Sequence, residues 1–202
     1  MSIYDKNNPE YDFICRTKRN LEFIEKRYKQ EKEEGKADED ITDVFEATQL
    51  INSFVGLLIY PKEKFYDYMY KDFDEDSESY DIIQKLKNDS KRYSNSYHER
   101  SCDGTIYEKK EILNARTLAL RLRNAIAHAN FKAYSKDSKI EGFSFSDKDN
   151  FWGIKENNII KRLKKQEPNS KRVFQSFYIE LSIGEIRTIL YDLCDLLISH
   201  FE

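Results

Sequence analysis

The chain has 202 residues, 39% of them apolar and 14% aromatic, which is enough to bury one sizeable core without requiring a second domain. Lysine and arginine number 34 against 37 aspartates and glutamates, so the net charge of −3 does not by itself indicate a nucleic-acid partner. No apolar run approaches the roughly 20 residues that span a bilayer and no secretory signal pattern is present, so we expect a cytoplasmic protein with no membrane partner.

The two halves of the chain differ in charge, which indicates where a charged partner would bind. Residues 1–104 carry 17 basic and 24 acidic side chains, whereas residues 105–202 carry 17 and 13, so the second half is the better candidate to contact phosphates.

Cys15, Cys102 and Cys194 are far apart and odd in number, which indicates neither a disulfide framework nor a zinc site. We expect no metal site and no cofactor.

The first half of the chain predicts helices, and scarce glycine and proline favour a mostly α fold. We expect a first helix over residues 12–34, because its apolar residues recur on one face, followed by a solvated loop of charged residues at 31–40. A second helix is predicted over residues 42–60, and its nearly continuous apolar surface is typical of the centre of a bundle. Residues 62–73 predict a short helical piece, and residues 81–91 predict a further helix.

The polar stretch at residues 90–104 is interpreted as an excursion between elements. Two interpretations of its tyrosines remain open. They either stack on nucleic-acid bases or cover nearby core.

The chain is organised around a helix predicted over residues 105–130. At about 100° per residue its apolar residues form one stripe, which we expect to be core, and its polar residues fall on the opposite side. The stripe comprises Ile112, Ala115, Leu118, Ala119, Leu122, Ile126 and Ala129. The polar side comprises Arg116, Arg121, Arg123, Asn124 and His128. Any chemistry carried by this helix is expected on the polar side.

Beyond this helix the pattern changes to alternation. Residues 140–146 and 174–181 alternate and are rich in aromatic side chains, which predicts a small β-hairpin inserted before the C-terminal helix. The long connection between them is strongly basic. It is either a solvated insertion or a loop that grips phosphates beside the site.

The last helix is announced by a capping box. Ser182 is followed three residues later by Glu185, a pair that satisfies free backbone donors at a helix start. Leu190, Leu193 and Leu197 then supply an apolar face, so we expect this helix to dock into the bundle.

The run RNAIAH, from Arg123 to His128, resembles the R-x4-6-H motif of the HEPN superfamily (higher eukaryotes and prokaryotes nucleotide-binding domains). Its Arg-Asn start is typical, and the apolar helix before it and the strands and capped helix after it are similar to one bacterial branch. The resemblance covers most of the chain. It implies a HEPN-like helical bundle forming a single domain over residues 1–202, with the hairpin and basic insertion at about residues 140–181.

This resemblance implies a metal-independent endoribonuclease, in many members the toxic or abortive arm of an antiviral defence or toxin–antitoxin system. Cleavage by the ribose 2′-hydroxyl, giving a 2′,3′-cyclic phosphate, needs only in-line positioning, proton transfer and positive charge at the phosphate. His128 is the expected acid or base, and Arg123 the expected phosphate ligand. Asn124, one turn before His128, is expected to orient the imidazole or touch the sugar.

A second tier of residues is expected to contact RNA around the motif. It comprises Arg116, Arg121, Lys132, Tyr134, Lys161, Arg162, Lys164 and Lys165. One toxin branch of the family carries a tyrosine two residues after the motif histidine, which its antitoxin adenylylates. Asn130 occupies that position here, so we do not infer that control mechanism.

A single helix makes a poor pocket for this chemistry, because residues five apart point about 140° away from each other. The resemblance implies a solution in which two protomers pair about a two-fold axis and share one cleft. We therefore expect a homodimer with a composite active site. The other expected partners are RNA and an antitoxin or defence-complex protein.

Two alternatives stay open at the level of sequence. The chain could be a catalytically inactive HEPN-like module that binds RNA, a nucleotide or a partner protein, or a purely oligomerising bundle. Arginine and histidine near a helix C-terminus also commonly have only a structural role. Their positive charges interact favourably with the negative end of the helix dipole, and their side chains donate hydrogen bonds to the free carbonyls.

Overall fold

Five helices and five strands lie within the part of the chain that the structure, a computed structural model, describes. The described residues are 9–34, 43–59, 73–100, 105–110, 112–136, 139–148 and 172–201. In chain order the elements are α1 (Pro9–Glu33), α2 (Asp43–Ile59), α3 (Glu78–Lys87), β1 (Tyr93–Arg100), β2 (Ile106–Lys110), α4 (Ala115–Ala127), β3 (Phe131–Lys136), β4 (Lys139–Lys148), β5 (Arg172–Ser182) and α5 (Ile183–Ile198). The predicted mostly α fold is confirmed.

The strands form one antiparallel sheet in the order β2-β1-β5-β4-β3. The predicted hairpin corresponds to β4 and β5, which pair with Phe145 opposite Ile179 and Phe143 opposite Leu181. That prediction is confirmed. The sheet is larger than the sequence indicated, because β1 and β2 extend it beyond β5 and β3 extends it beyond β4.

Helices cover one face of this sheet. Side chains alternate along a strand, and the inward positions of β4 and β5 are fully or almost fully buried. Phe54 of α2 meets Phe145 edge-on, with 6.1 Å between the ring centroids. The buried residues of α1, α2, α4 and α5 join those of the sheet in one core cluster, so the motif helix α4 is anchored from several sides.

The central helix α2 departs from its prediction on one side. Its buried residues include Leu50, Phe54 and Leu57, as expected for a bundle centre. Asn52 and Val55, however, are exposed, with Val55 at 38%. The helix is therefore not buried on every side.

The motif helix begins ten residues later than predicted. Asn114 caps α4, because its side-chain oxygen accepts a hydrogen bond from the backbone N–H of Thr117 over 2.8 Å. Residues 106–110 belong to β2 instead, and Ile112 is 74% exposed before the helix starts. The placement of Ile112 in the core stripe was wrong.

The remaining boundaries shift for local reasons. Ser77 caps α3, which therefore begins at Glu78 and ends at Lys87, earlier than the predicted 81–91. The stretch interpreted as a polar excursion at residues 90–104 contains β1, which is held between β2 and β5. The capping box of Ser182 and Glu185 is present at the start of α5, as predicted.

Some of the predicted features lie outside the described residues. These are most of the charged loop at 31–40, nearly all of the short helical piece at 62–73, and the basic run Lys161, Arg162, Lys164 and Lys165. Within the described ranges, no helix is long and apolar enough to cross a membrane.

Candidate functional site

The motif ends in a tightly hydrogen-bonded helix C-terminus. His128 is the C-cap of α4, and the chain then turns through Ala129 with a φ of 51°. The N–H of Asn130 donates to the carbonyl of Ala125 over 2.7 Å, and the N–H of Ala129 donates to that of Ile126 over 3.0 Å. This is the Schellman arrangement, which satisfies the last carbonyls of a helix and fixes the direction in which the chain leaves.

An alanine occupies the position that glycine usually takes in this turn. The left-handed conformation costs a residue with a Cβ about 1 kcal/mol relative to glycine. The strand beside the turn helps to hold it, since the N–H of Ser146 in β4 donates to the carbonyl of Asn130 over 2.9 Å. The predicted place of Ala129 in the core stripe was wrong, because its side chain is exposed.

The arginine and histidine of the motif lie on different sides of the helix end. Arg123 is half-buried and His128 is exposed. Five residues of helix separate their directions by about 140°. Within one chain, the helix therefore presents these two side chains without itself forming a pocket that encloses both.

Asn124 is held in place by a carboxylate from the neighbouring strand. Its Nδ2 donates to Oδ2 of Asp147 in β4 over 3.0 Å. The same oxygen accepts a hydrogen bond from Nη1 of Arg121 over 3.1 Å, in an ion pair whose side chains are 6% and 14% exposed. One carboxylate thus connects β4 to two successive turns of α4.

This arrangement corrects the interpretation of Arg121. The sequence placed Arg121 on the polar, accessible side of the helix as an RNA contact, but the residue is only 5% exposed. Its guanidinium faces the end of β4, because helix positions 121 and 124 share a face that packs on that strand. Arg121 therefore stabilises the site from beneath instead of presenting its charge at the surface.

Asp147 is the site residue that the sequence analysis missed. Phe143, Phe145 and Asp147 occupy alternate positions on β4, so all three point to the helix-facing side. A carboxylate that continues a buried apolar face needs a cationic or hydrogen-bonding partner. The predicted strand ended at residue 146, one position before Asp147, so this carboxylate was not recognised as part of the buried face of the strand.

The second-tier residues that the structure describes are spread over two elements. Arg116 is exposed on α4, seven residues before Arg123 and therefore on nearly the same side of the helix. Lys132 is exposed on β3 and Tyr134 is half-buried two residues further along the same strand. The structure therefore divides these three residues between two elements. Arg116 lies near the start of α4, whereas Lys132 and Tyr134 lie on β3.

A second ion pair stabilises the junction of β1, β5 and α5. Nη2 of Arg92 donates to Oε2 of Glu185 and, over 3.0 Å, to the carbonyl of Glu180. Burial raises the pKa of Glu185, but the hydrogen bonds from Arg92 and from the N–H of Ser182 outweigh it and leave that pKa below its ordinary value. Burial raises the pKa of nearby Tyr134, which the positive charge of Arg92 partly opposes.

Comparison with known proteins gives one informative result. The family model described as HEPN pEK499 p136 matches residues 1–202, so the match includes the motif and both of its flanks. Comparison with curated proteins gave no match, and comparison with solved structures gave none either.

Proposed function

This chain belongs to the HEPN family, and on that premise we propose that it is an endoribonuclease that cleaves RNA without a metal ion. Membership supports a nuclease or toxin-like module. The observation that carries the proposal is the position of His128, whose exposed side chain stands on the hydrogen-bonded C-terminus of α4 inside the family's motif. Within the described part of the chain, its imidazole accepts and donates no hydrogen bond.

The proposed reaction uses the RNA's own nucleophile. A base takes the proton of the ribose 2′-hydroxyl, the 2′-oxygen bonds to phosphorus, and the bond from phosphorus to the 5′-oxygen breaks. An acid protonates that leaving oxygen, so the products carry a 2′,3′-cyclic phosphate and a 5′-hydroxyl. Imidazole suits both proton transfers, because its reference pKa of about 6.5 lets it hold either state near neutral pH. We assign this role to His128.

Arg123 and Asn124 are the proposed supports for the reacting phosphate and sugar. The planar guanidinium of Arg123 can contact two non-bridging oxygens as negative charge builds on them. Asn124 donates one of its two Nδ2 hydrogens to Asp147, which fixes the amide so that its Oδ1 can accept a hydrogen bond from a ribose hydroxyl. Its proposed role is therefore to contact the sugar, with its orientation fixed by β4.

We further propose that the active form is a homodimer. Arg123 and His128 point in different directions from one helix, so a second copy related by a two-fold axis would complete the site. Two copies supply two imidazoles and two guanidiniums, enough for an acid, a base and a phosphate ligand. Light scattering should give the mass of a dimer, and specific activity should rise with protein concentration as dimers form. An active monomer would contradict this part of the proposal.

The test of cleavage is incubation with total cellular RNA followed by mapping of the new ends. Wild-type protein should leave cyclic phosphate ends in the presence of a chelator, and His128→Ala should leave none. Arg123→Ala should lose about 2 to 4 kcal/mol of transition-state stabilisation, as for removal of one preorganised donor. His200→Ala is the matched control, since His200 lies beyond the end of α5, outside the motif. RNA that is bound but never cut would instead indicate an inactive binding module.

The biological role that we propose is that of a toxin or abortive effector, controlled by an antitoxin or a defence-complex protein. Expression of the wild-type chain should arrest growth, and His128→Ala should relieve the arrest while His200→Ala does not. Arrest by the His128→Ala variant would separate toxicity from RNA cleavage and contradict the proposal.

A further inference from the structure

A cleft of about 710 Å³ lies between the paired ends of β3 and β4, the start of α5 and the C-terminal part of α1. None of Arg123, Asn124 and His128 lines it. Its volume falls within the roughly 300–1,000 Å³ of ordinary ligand sites. The residues that matter for its chemistry are Tyr28, Tyr134, Lys136, Lys139 and Arg187.

Basic side chains outnumber acidic ones among the described residues that line the cleft. Lys136, Lys139 and Arg187 bring three cations from three different elements, and Glu141 is the one carboxylate among the described lining residues. The neighbouring carboxylate of Glu185 is already bonded to Arg92. Cations that converge from separate elements can contact successive phosphates of a nucleic-acid backbone.

Two tyrosines line the same cleft. Tyr134 lies directly opposite Gly142 in the β3–β4 pair, and an ideal Cβ built on that glycine would come within 2.2 Å of the tyrosine hydroxyl oxygen. Because Gly142 has no side chain, the phenol ring of Tyr134 can occupy the space beside it. Tyr28 on α1 carries the ammonium of Lys32 5.0 Å from its ring centroid, which adds a further positive charge beside the cleft. Half-buried aromatic rings among cations are the usual means of binding unpaired bases.

We propose that this cleft binds single-stranded RNA, holding a segment of the substrate outside the cleavage motif through base stacking on the tyrosines and phosphate contacts to the cations. The inference rests on the proposed function in that it names where the substrate extends. The tyrosines favour single strands over duplex, since bases in a duplex are stacked on one another and cannot reach the rings.

Gly184 offers a clean way to fill the cleft. A Cβ built at this position meets nothing within 4 Å, and the backbone is not in the left-handed region, so a side chain can be added without disturbing the fold. Gly184→Glu adds both bulk and negative charge where the RNA would lie. Gly184→Ala is its matched control.

The experiment measures binding of a fluorescent 12-nucleotide single-stranded RNA to the full chain carrying His128→Ala, which separates binding from cleavage. Gly184→Glu should weaken binding about tenfold or more, whereas Gly184→Ala should not. Lys136→Ala with Lys139→Ala should lower the slope of log affinity against log salt by roughly 1.4, at about 0.7 for each phosphate that the protein no longer neutralises. Lys85→Ala with Lys87→Ala, on α3 and away from the cleft, is the charge-matched control and should change neither the affinity nor the slope.

The stacking part of the proposal has its own variants. Tyr134→Ala should weaken binding roughly 5- to 150-fold, the usual cost of losing one base–aromatic stack, and Tyr134→Phe should restore most of it by keeping the ring. Thermal melting of each variant reports whether it is folded. Should Tyr134→Ala unfold the protein, Tyr28→Ala on α1 makes the same test.

The outcomes separate this inference from the proposed function. If the protein binds RNA through the cleft but never cuts it, the result would support the inference and contradict the proposed nuclease activity. Cleavage of long RNA with KM and affinity indifferent to Gly184→Glu would sustain the nuclease and overturn the inference. Equal competition by polyglutamate of matched charge would also overturn it, because the tyrosines would then have no part in recognition.

Discussion

The side chain of Asn124 is tied to that of Asp147 by a 3.0 Å hydrogen bond from Nδ2 to Oδ2, across the contact between α4 and β4. The ion pair of Asp147 with buried Arg121 uses the same oxygen. The middle residue of the proposed catalytic group is therefore oriented by a strand that the motif itself does not contain. Stability and cleavage should both depend on this carboxylate.

Replacing Asp147 with alanine should destabilise the protein by about 3 to 5 kcal/mol, because it removes a carboxylate that pairs with the buried guanidinium of Arg121. Urea unfolding measures this loss, and the same variant should cut RNA more slowly under conditions where it is fully folded. Asp147→Asn is the matched variant. It keeps an acceptor for Asn124 but removes the charge, so it should retain more activity than Asp147→Ala. An Asp147→Ala protein as stable as wild type would contradict the described geometry.

Ala129→Gly should stabilise the protein by up to about 1 kcal/mol, because glycine adopts the left-handed conformation at the end of α4 without the steric cost of a Cβ. Ala127→Gly, two residues earlier and still helical, should instead destabilise by up to about 1 kcal/mol. Thermal melting of the two variants checks the opposite signs. Equal destabilisation by both would show that the turn is not strained.

The sequence predicted the elements whose hydrophobic pattern is local. Helices α1, α2 and α5 and the pairing of β4 with β5 were found because period 3.6, period 2 and a capping box are each visible within a few residues. Strand β1 was missed, since its sequence YSNSYHER carries no apolar alternation and its partners are β2, which was predicted as helix, and β5, some 80 residues away. Strand β2 was absorbed into the motif helix, although Asn114 is a strong helix-capping residue that marks the true start.

The motif residues of the candidate site could be predicted from the sequence, but the residues that hold them in place could not. Arg123, Asn124 and His128 follow from six consecutive residues. The burial of Arg121 does not, because helical periodicity alone cannot say that β4 ends in a carboxylate beside it. The tyrosine and lysines of the cleft become neighbours of Arg187 only through the packing of β3 and β4 against the start of α5.

The ion pair of Arg92 with Glu185 should make stability depend on acid pH. The pKa of Glu185 lies below its ordinary value of 4.5, so the pair contributes fully above about pH 4.5 and is lost as pH falls through the lowered pKa. Its side chains are 33% and 21% exposed, which limits the contribution to about 1 kcal/mol. Glu185→Gln should be less stable at pH 7 and lose less stability on acidification than wild type, as measured by urea unfolding at several pH values. Arg92→Gln should behave in the same way, and a steeper acid dependence in either variant would contradict the assignment.

Two glycines should respond in opposite ways to the same substitution. A Cβ at Gly142 would lie 2.2 Å from the carbonyl oxygen of Leu181, a backbone atom that cannot move aside without breaking the β4–β5 pairing. Gly142→Ala should therefore cost roughly 1 to 3 kcal/mol or more. Gly184→Ala meets no atom and should be neutral or stabilising by up to about 1 kcal/mol. Melting temperatures of the pair decide this, and a tolerated alanine at 142 would contradict the described strand register.

The central claim is that the RNA's own ribose makes the cut with His128 moving the proton. The most direct measurement uses one RNA oligonucleotide that the protein cleaves at a mapped position and a second in which only the scissile ribose is 2′-deoxy. We expect cleavage of the first by wild type to give a 2′,3′-cyclic phosphate, no cleavage of the second, and no cleavage of either by His128→Ala. Cutting of the 2′-deoxy strand at the mapped position, or undiminished cutting by His128→Ala, would contradict the mechanism.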